Sequence, residues 1–449
     1  MANGSRRTAP PKASQRERLV EAMTQTAARY GHQHASVARV VEQAGVSRAT
    51  FYKYFADKED CFLAAFEVAA EPVESALERT EAEQLPVDRS RVLLEELLSE
   101  ASRDPAGAHI LMLDARAGGR GARLAHERLM AQGVETLERW LQAENEEGWR
   151  LAITGRAVME GVIGVITNRA FRGETAQIAD LHDDLVAWIL SYAVRGESRR
   201  IGPEDWRRLG AGFVRSAPSA PLSPSTSPRK LPRGRSALAP VTVSGEQRER
   251  ILVAMTQLAR TMIYPEMSVA DIVKEAGVTR EAFYQHFRNK EDAFLAAQST
   301  GLESSTSVAA AKFFVGDNWP ERIWDGLEAL LTFTATEPDL IYLDVIESPA
   351  VGAAALRRSF DNLMAYTLFI EDGYRQRRRG EHLPRLCSEA IAASVLGMMR
   401  RTVYEERTER MPEILPQAAY VVLAPFIGPA AAMDFVEAKA AAIDGTLPA

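Results

Sequence analysis

Cysteine is almost missing from this chain: Cys61 and Cys387 are the only two among 449 residues. They occupy non-equivalent places in the two halves, which argues against a disulfide framework and fits a reducing cytosol. Long apolar runs are missing as well. The longest stretch without a charge, Ile414 to Met433, is interrupted by Pro416, Pro425 and Pro429. It reads as a buried helix followed by a turn, not as a membrane span. The opening MANGSRRTAPPKASQRER is basic but has no apolar segment behind it, so no secretory signal is read there. Aromatic residues amount to 7%, and the net charge of −7 denies the chain an overall basic surplus. What remains, 46% apolar and 26% charged, is ordinary for a globular protein of two or more domains.

The most informative positive feature is a repetition. Gln15 to Ala65 reads QRERLVEAMTQTAARYGHQHASVARVVEQAGVSRATFYKYFADKEDCFLAA, and Gln247 to Ala297 reads QRERILVAMTQLARTMIYPEMSVADIVKEAGVTREAFYQHFRNKEDAFLAA. The two align without a gap at a constant offset of 232 residues, with roughly half the positions identical. Core positions that differ do so conservatively, as with Leu19 and Ile251 or Val40 and Ile272. One folded unit therefore occurs twice.

Charge is distributed unevenly between the copies. Residues 1–55 hold nine Lys or Arg against three acids, a net of +6, whereas residues 246–290 hold seven against six, a net of +1. Local basic patches set phosphate affinity, so the first copy is expected to grip a nucleic-acid backbone more strongly. The acidic remainder opposes non-specific adhesion.

Within each copy a helix–turn–helix is legible. Ser36 is a suitable N-cap for Val37 onward, Gly45 suits a tight turn at positive φ, and Ser47 to Phe55 forms the second, groove-entering helix. Phe51 and Phe55 lie four apart and face inward, which turns Arg48, Tyr52 and Lys53 outward with Thr50 at their edge. The N-terminal part of such a helix reaches base edges while flanking side chains hold phosphate. Arg48 could give guanine a bidentate contact.

Behind each copy the periodicity becomes that of long amphipathic helices. In the first half these are expected around 105–117, 122–143, 150–171 and 177–194; in the second, around 338–348, 353–374, 384–404 and 411–423. Gly155, Gly161 and Gly164 permit close approach along 150–171. Residues 215–245, rich in Pro, Ser and Ala, read as a linker long enough to bring the second copy back beside the first. The implied domains are 1–65, 66–214, 215–245, 246–297 and 298–449.

The run G-V-S-x-x-T-F-Y-x-Y-F-x-x-K-E-x-x-F-L at Gly45 to Leu63, and G-V-T-x-x-x-F-Y-x-H-F-x-x-K-E-x-x-F-L at Gly277 to Leu295, resemble TetR/AcrR-type transcriptional regulators. The phrase A-P-F-I-G at Ala424 to Gly428 is similar to one common near the end of such proteins. The resemblance implies an all-α chain of two tandem units, each a helix-turn-helix head on a helical body. A usual member carries one unit and works as a homodimer; here the two units imply an intramolecular pseudo-dimer.

Carried over by position, the DNA contacts would be Ser36, Arg48, Thr50, Tyr52, Lys53, Tyr54 and Lys58 in the first head. In the second they would be Ser268, Arg280, Tyr284, Gln285, His286 and Lys290. The second head departs at Ala282, which has no hydroxyl, and at Ile263, which stands where the first has Gly31. An effector pocket in the bodies would draw on Met112, Trp140 and Met159, or on Tyr342, Tyr366 and Phe369.

Other chemistries find little support. His32 and His34 have no third ligand and are replaced in the second copy by Tyr264 and Glu266, so no metal is expected. Gly45 to Ala49 lacks the final glycine and preceding strand of a nucleophile elbow, and Gly118 to Gly121 is too short to cradle phosphate. No cofactor and no enzymatic activity are expected. The expectation is a cytoplasmic, nucleoid-associated repressor with no membrane partner. It binds a double-stranded operator as an imperfect palindrome and is released by a small apolar effector. The alternative is an effector-independent architectural or silencing DNA-binding protein.

Overall fold

The structure is a computed structural model that describes residues 14–81, 86–116, 118–142, 149–195, 202–213, 240–377 and 383–443. The first half contains α1 (Gln15–Tyr30), α2 (Val37–Ala44), α3 (Arg48–Tyr54), α4 (Lys58–Glu81), α5 (Pro86–Arg103), α6 (Pro105–Met112), α7 (Gly119–Gln142), α8 (Gly155–Phe171), α9 (His182–Leu190) and α10 (Pro203–Gly210). The second contains α11 (Pro240–Thr261), α12 (Val269–Ala276), α13 (Arg280–His286), α14 (Lys290–Phe313), α15 (Trp319–Thr336), α16 (Pro338–Tyr342), α17 (Ser348–Val351), α18 (Ala353–Ile370), α19 (Leu386–Tyr404), α20 (Leu415–Ile427) and α21 (Pro429–Ile443).

The architecture is all-α and tandem, with one small exception that the periodicity did not announce. Residues 150–154 are not helical. Strand β1 (Trp149–Leu151) pairs antiparallel with β2 (Ala193–Arg195), Arg150 opposite Val194. Helix α8 therefore starts at Gly155, where Thr154 caps it, and α9 stops at Leu190, not at Val194. Helix α11 begins at Pro240, inside the segment read as linker; the rest of that segment lies outside the described residues.

The chain divides into two compact units. One consists of the described residues up to Pro72 with Ala106–Leu129; the other is Val73–Pro105 with everything from Met130 onward. The first unit is the N-terminal head with its supports. Ser14 and Glu17 form a capping box that starts α1. Leu19, Met23, Val40, Phe51 and Phe62 then close a core from α1 to α4, to which α6 adds Ile110. Gly118 lies so close to Phe62 that a Cβ would sit 2.1 Å from its ring.

In the second unit the second head builds the same core from Ile251, Met255, Ile272, Phe283 and Phe294. The unit also holds a seam between the halves of the chain. Helix α8 crosses α19 closely because the meeting residues are small. A Cβ on Gly161 would lie 2.9 Å from the Ala390 carbonyl, and one on Gly164 2.3 Å from the Ala393 Cβ. Ser394 Oγ donates to the Ala157 carbonyl at 2.7 Å. Two buried carboxylates then secure the crossing reciprocally. Glu389 of α19 accepts from Asn168 Nδ2 at 2.6 Å and pairs with Arg169 at 3.1 Å on α8, while Glu160 of α8 pairs with Arg400 of α19. Beyond them Tyr192 donates to the Val421 carbonyl at 2.7 Å, and Phe171 meets Phe360.

Candidate nucleic-acid interface and ligand cavity

In both heads the turn is made by glycine in the left-handed region, Gly45 at φ 61° and Gly277 at φ 60°. Each is held from behind by an arginine of the first helix. Arg18 donates to the carbonyls of Ala44 and Gly45, and Arg250 to that of Gly277. Two residues counted as basic charge in the sequence thus serve as braces. The aromatic doublet that follows splits as its spacing requires: Phe51 and Phe283 are fully buried, whereas Tyr52 and Tyr284 are 57% and 48% exposed.

On α3, Arg48 and Lys53 are exposed beside Tyr52, and Thr50 is half-buried at the helix start, its hydroxyl 2.9 Å from that of the N-cap Ser47. Tyr54 is half-buried under the Lys53 ammonium. On α13, Arg280 is exposed and leans over Tyr284, Gln285 is exposed, and His286 is half-buried. Burial, with Arg248 nearby, holds the His286 imidazole below its usual range. Ser36 and Ser268 are exposed N-caps of α2 and α12, accepting from Arg39 N–H and Asp271 N–H. These exposed groups occupy one short helix and the start of the helix before it in each head.

Lys58 and Lys290 are placed differently. Lys58 donates to the His32 carbonyl at 3.2 Å, and Lys290 to the carbonyls of Tyr264 at 2.9 Å and Met267 at 2.8 Å. Both ammonium groups tie the loop after the first helix to the start of the fourth, so the geometry gives them an internal task. Burial lowers the Lys290 pKa accordingly. Arg6, Arg7 and Lys12 of the first basic patch lie outside the described residues.

The loops held by these lysines are where each head meets a buried carboxylate, a feature with no sequence motif. In the first, Asp114 accepts the His32 backbone N–H. Burial pushes its carboxyl up to about 7, against that bond and the Lys58 charge. In the second, Glu347 accepts the Tyr264 N–H at 2.9 Å. Ile263 does not disturb this: it avoids positive φ, and a turn through residues 264–266 replaces the short 3-10 turn at His32–His34.

Glu347 closes a π-helical turn, Leu343–Glu347, and Asp344 at the other end of that turn lines a cavity of about 140 Å³. A single π turn of this kind often marks a functional site. Helices α14, α15, α18 and α19 enclose the cavity with mostly apolar side chains. Of the residues named from sequence, Tyr366 and Phe369 line it. Tyr342 lies outside its wall, under the Arg260 guanidinium. Met112, Trp140 and Met159 belong to the first half; Trp140 is buried, and Met159 packs close to Gly133. Gln298, Asp344 and Ser359, the polar end of the cavity, were missed because they are scattered over three elements. Among the described residues no three His, Cys, Asp or Glu side chains gather as a metal site would need, and no helix is long and apolar enough to cross a membrane.

A braced turn, an inward aromatic and an outward arginine-bearing helix define a helix-turn-helix DNA-binding domain, and this chain has two. Residues 19–65 and 253–297 each match the tetR family of bacterial regulatory proteins, so both heads are domains of that family. The HTH-type transcriptional regulator EthR of Mycolicibacterium smegmatis is 39% identical over 72 residues, which is 16% of this chain. That match spans about a third, 32%, of the relative's length. Among solved structures, a transcriptional regulator FadR from Bacillus subtilis in complex with stearoyl-CoA is similar at 20% identity and TM-score 0.34, over 39% of this chain and 97% of that one. A TetR-like regulator from Rhodococcus sp. RHA1 is similar at 17% identity and TM-score 0.32, over 40% and 96%.

Proposed function

We propose that the protein is a cytoplasmic, sequence-specific transcriptional repressor that reads one operator with both heads of a single chain. The observation that carries this reading is the reciprocal seam of α8 and α19. Each helix presents a buried carboxylate to the other's Arg, in the manner of the self-complementary interface of a symmetric dimer. A chain that supplies both sides of such an interface has no need of a second copy. Its two reading helices would then enter successive major grooves about 34–36 Å apart. Arg48 and Arg280 would read a shared base, while Lys53 against Gln285 and Tyr54 against His286 would read different flanks. The operator is accordingly an imperfect palindrome.

Release follows from a ligand in the second-half cavity. Asp344 at the cavity and Glu347 at the head loop share one π turn, so a ligand that repacks the turn changes the anchorage of Tyr264. A ligand that binds one arrangement better shifts the population toward it. Binding-site selection with the full chain, followed by light scattering of the complex, tests the reading. One chain per imperfectly symmetric site is expected. Two chains per site, or binding indifferent to sequence, would instead indicate an architectural protein with four heads.

A further inference from the structure

We infer that the second-half cavity takes a small, mostly apolar molecule, about the size of a substituted benzene ring, that carries an N–H or O–H donor and no carboxylate or phosphate. This rests on the reading above and names the chemistry of the effector that reading requires. The size follows from the volume: about 140 Å³ is close to the ~150 Å³ of apolar cavities that admit benzene.

The polarity follows from what the wall offers. Gln298 is buried, and its Nε2 donates to Asp344 Oδ1 and Ser348 Oγ, both at 2.8 Å. That fixes the amide and leaves Gln298 Oε1 buried with no partner. Asp344 Oδ1 also accepts from Ser359 Oγ at 2.8 Å. The neighbouring hydroxyls of Ser305 and Tyr366 are bonded at 2.6 Å, and Ser305 Oγ also donates to the Leu302 carbonyl at 3.1 Å, so neither proton is left over. The polar end therefore presents a buried acceptor, Gln298 Oε1, in want of a donor.

Charge points the same way. The ionisable carboxyls in the wall are Asp344 and Glu337, and no Lys, Arg or His among the described residues lines it. An anionic ligand would be desolvated beside two acidic groups with no counter-charge. Burial pushes both carboxyls above their usual range, which a cationic donor would reverse and a neutral one would leave in place. A buried acceptor discriminates strongly, because a ligand without the donor leaves it unpaired.

Isothermal titration of the full chain with benzyl alcohol, benzylamine, toluene and benzoate tests the inference. At least one donor-bearing ligand should bind roughly tenfold or more tighter than toluene, with benzoate no tighter than toluene. In Gln298→Met, toluene should still bind while the donor's advantage shrinks towards unity. On the wild-type protein, toluene or benzoate matching both donors, or no binding by any of the four, would overturn it. Operator affinity is read separately. Binding in the expected order with no change at the operator would remove the effector role and leave the ligand chemistry standing.

Discussion

At the tip of the first head Thr50 is half-buried with its hydroxyl against the N-cap; at the same place in the second, Ala282 is buried and offers nothing. Four residues on, Tyr54 and His286 likewise differ, whereas Gly45 and Gly277, Phe51 and Phe283, and Arg18 and Arg250 keep the same tasks. Positions that hold the turn are shared because the backbone demands them. On the proposed reading, positions that meet DNA are free to diverge once each head has a fixed partner. The supports differ too: Asp114 has His109 3.6 Å away, while Glu347 belongs to a π turn that reaches a cavity.

The comparison can be broken most forcefully in the cores. Phe51→Ala and Phe283→Ala should each destabilise their own head by about 3–5 kcal/mol, measured by denaturant unfolding. Equal loss of operator affinity from both would show that neither head suffices. At the seam, Glu389→Ala leaves Arg169 without its buried partner and should cost about 3 kcal/mol. Unfolding midpoints unchanged from wild type would mean the seam contributes little.

Among the reading residues, Arg48→Ala and Arg280→Ala should each cost about 1–3 kcal/mol and relax preference at one base pair. A uniform loss across all sequences would make them phosphate contacts. Lys53→Ala should relax preference at one flanking base pair and, by removing a cation from the interface, lower the slope of binding against salt. Lys58→Ala should lower stability and leave that slope alone, since its ammonium is bound to the His32 carbonyl.

A pH effect is expected at the support of the first head, where Asp114 and its neighbour His109 act in opposite directions. Asp114 is pushed up to about 7, so the folded state favours its protonated form, and stability from it falls as pH rises from about 4 to 7. Burial lowers His109 to about 4, so its contribution runs the other way, rising between about 4 and 6.5. Thermal melts of Asp114→Asn should therefore reveal a stability that climbs over that range relative to wild type, and His109→Gln the reverse. Two variants with the wild-type profile would remove the opposition.

Much of this was legible in the sequence because local chemistry determines it. A gapless repeat fixes the two heads, glycine fixes the turn, and four-residue spacing divides Phe51 from Tyr52. The rest depends on chain segments far apart. Lys58 and Lys290 look like surface charges until the loop carbonyls they meet are in place. The paired strands need Arg150 and Val194 brought together, and β-branched residues within a helical period give no warning of it. Tyr366 and Phe369 could be named as aromatics, but Gln298 acquires meaning only beside Asp344 and Ser359.

If the seam between α8 and α19 holds both heads to one operator as proposed, it has a consequence at the level of the cell. For a repressor assembled from separate subunits, operator occupancy at low abundance varies with the square of copy number. When one polypeptide brings both halves, occupancy follows the first power, so a cell holding a handful of molecules retains graded control where an assembling repressor would let go.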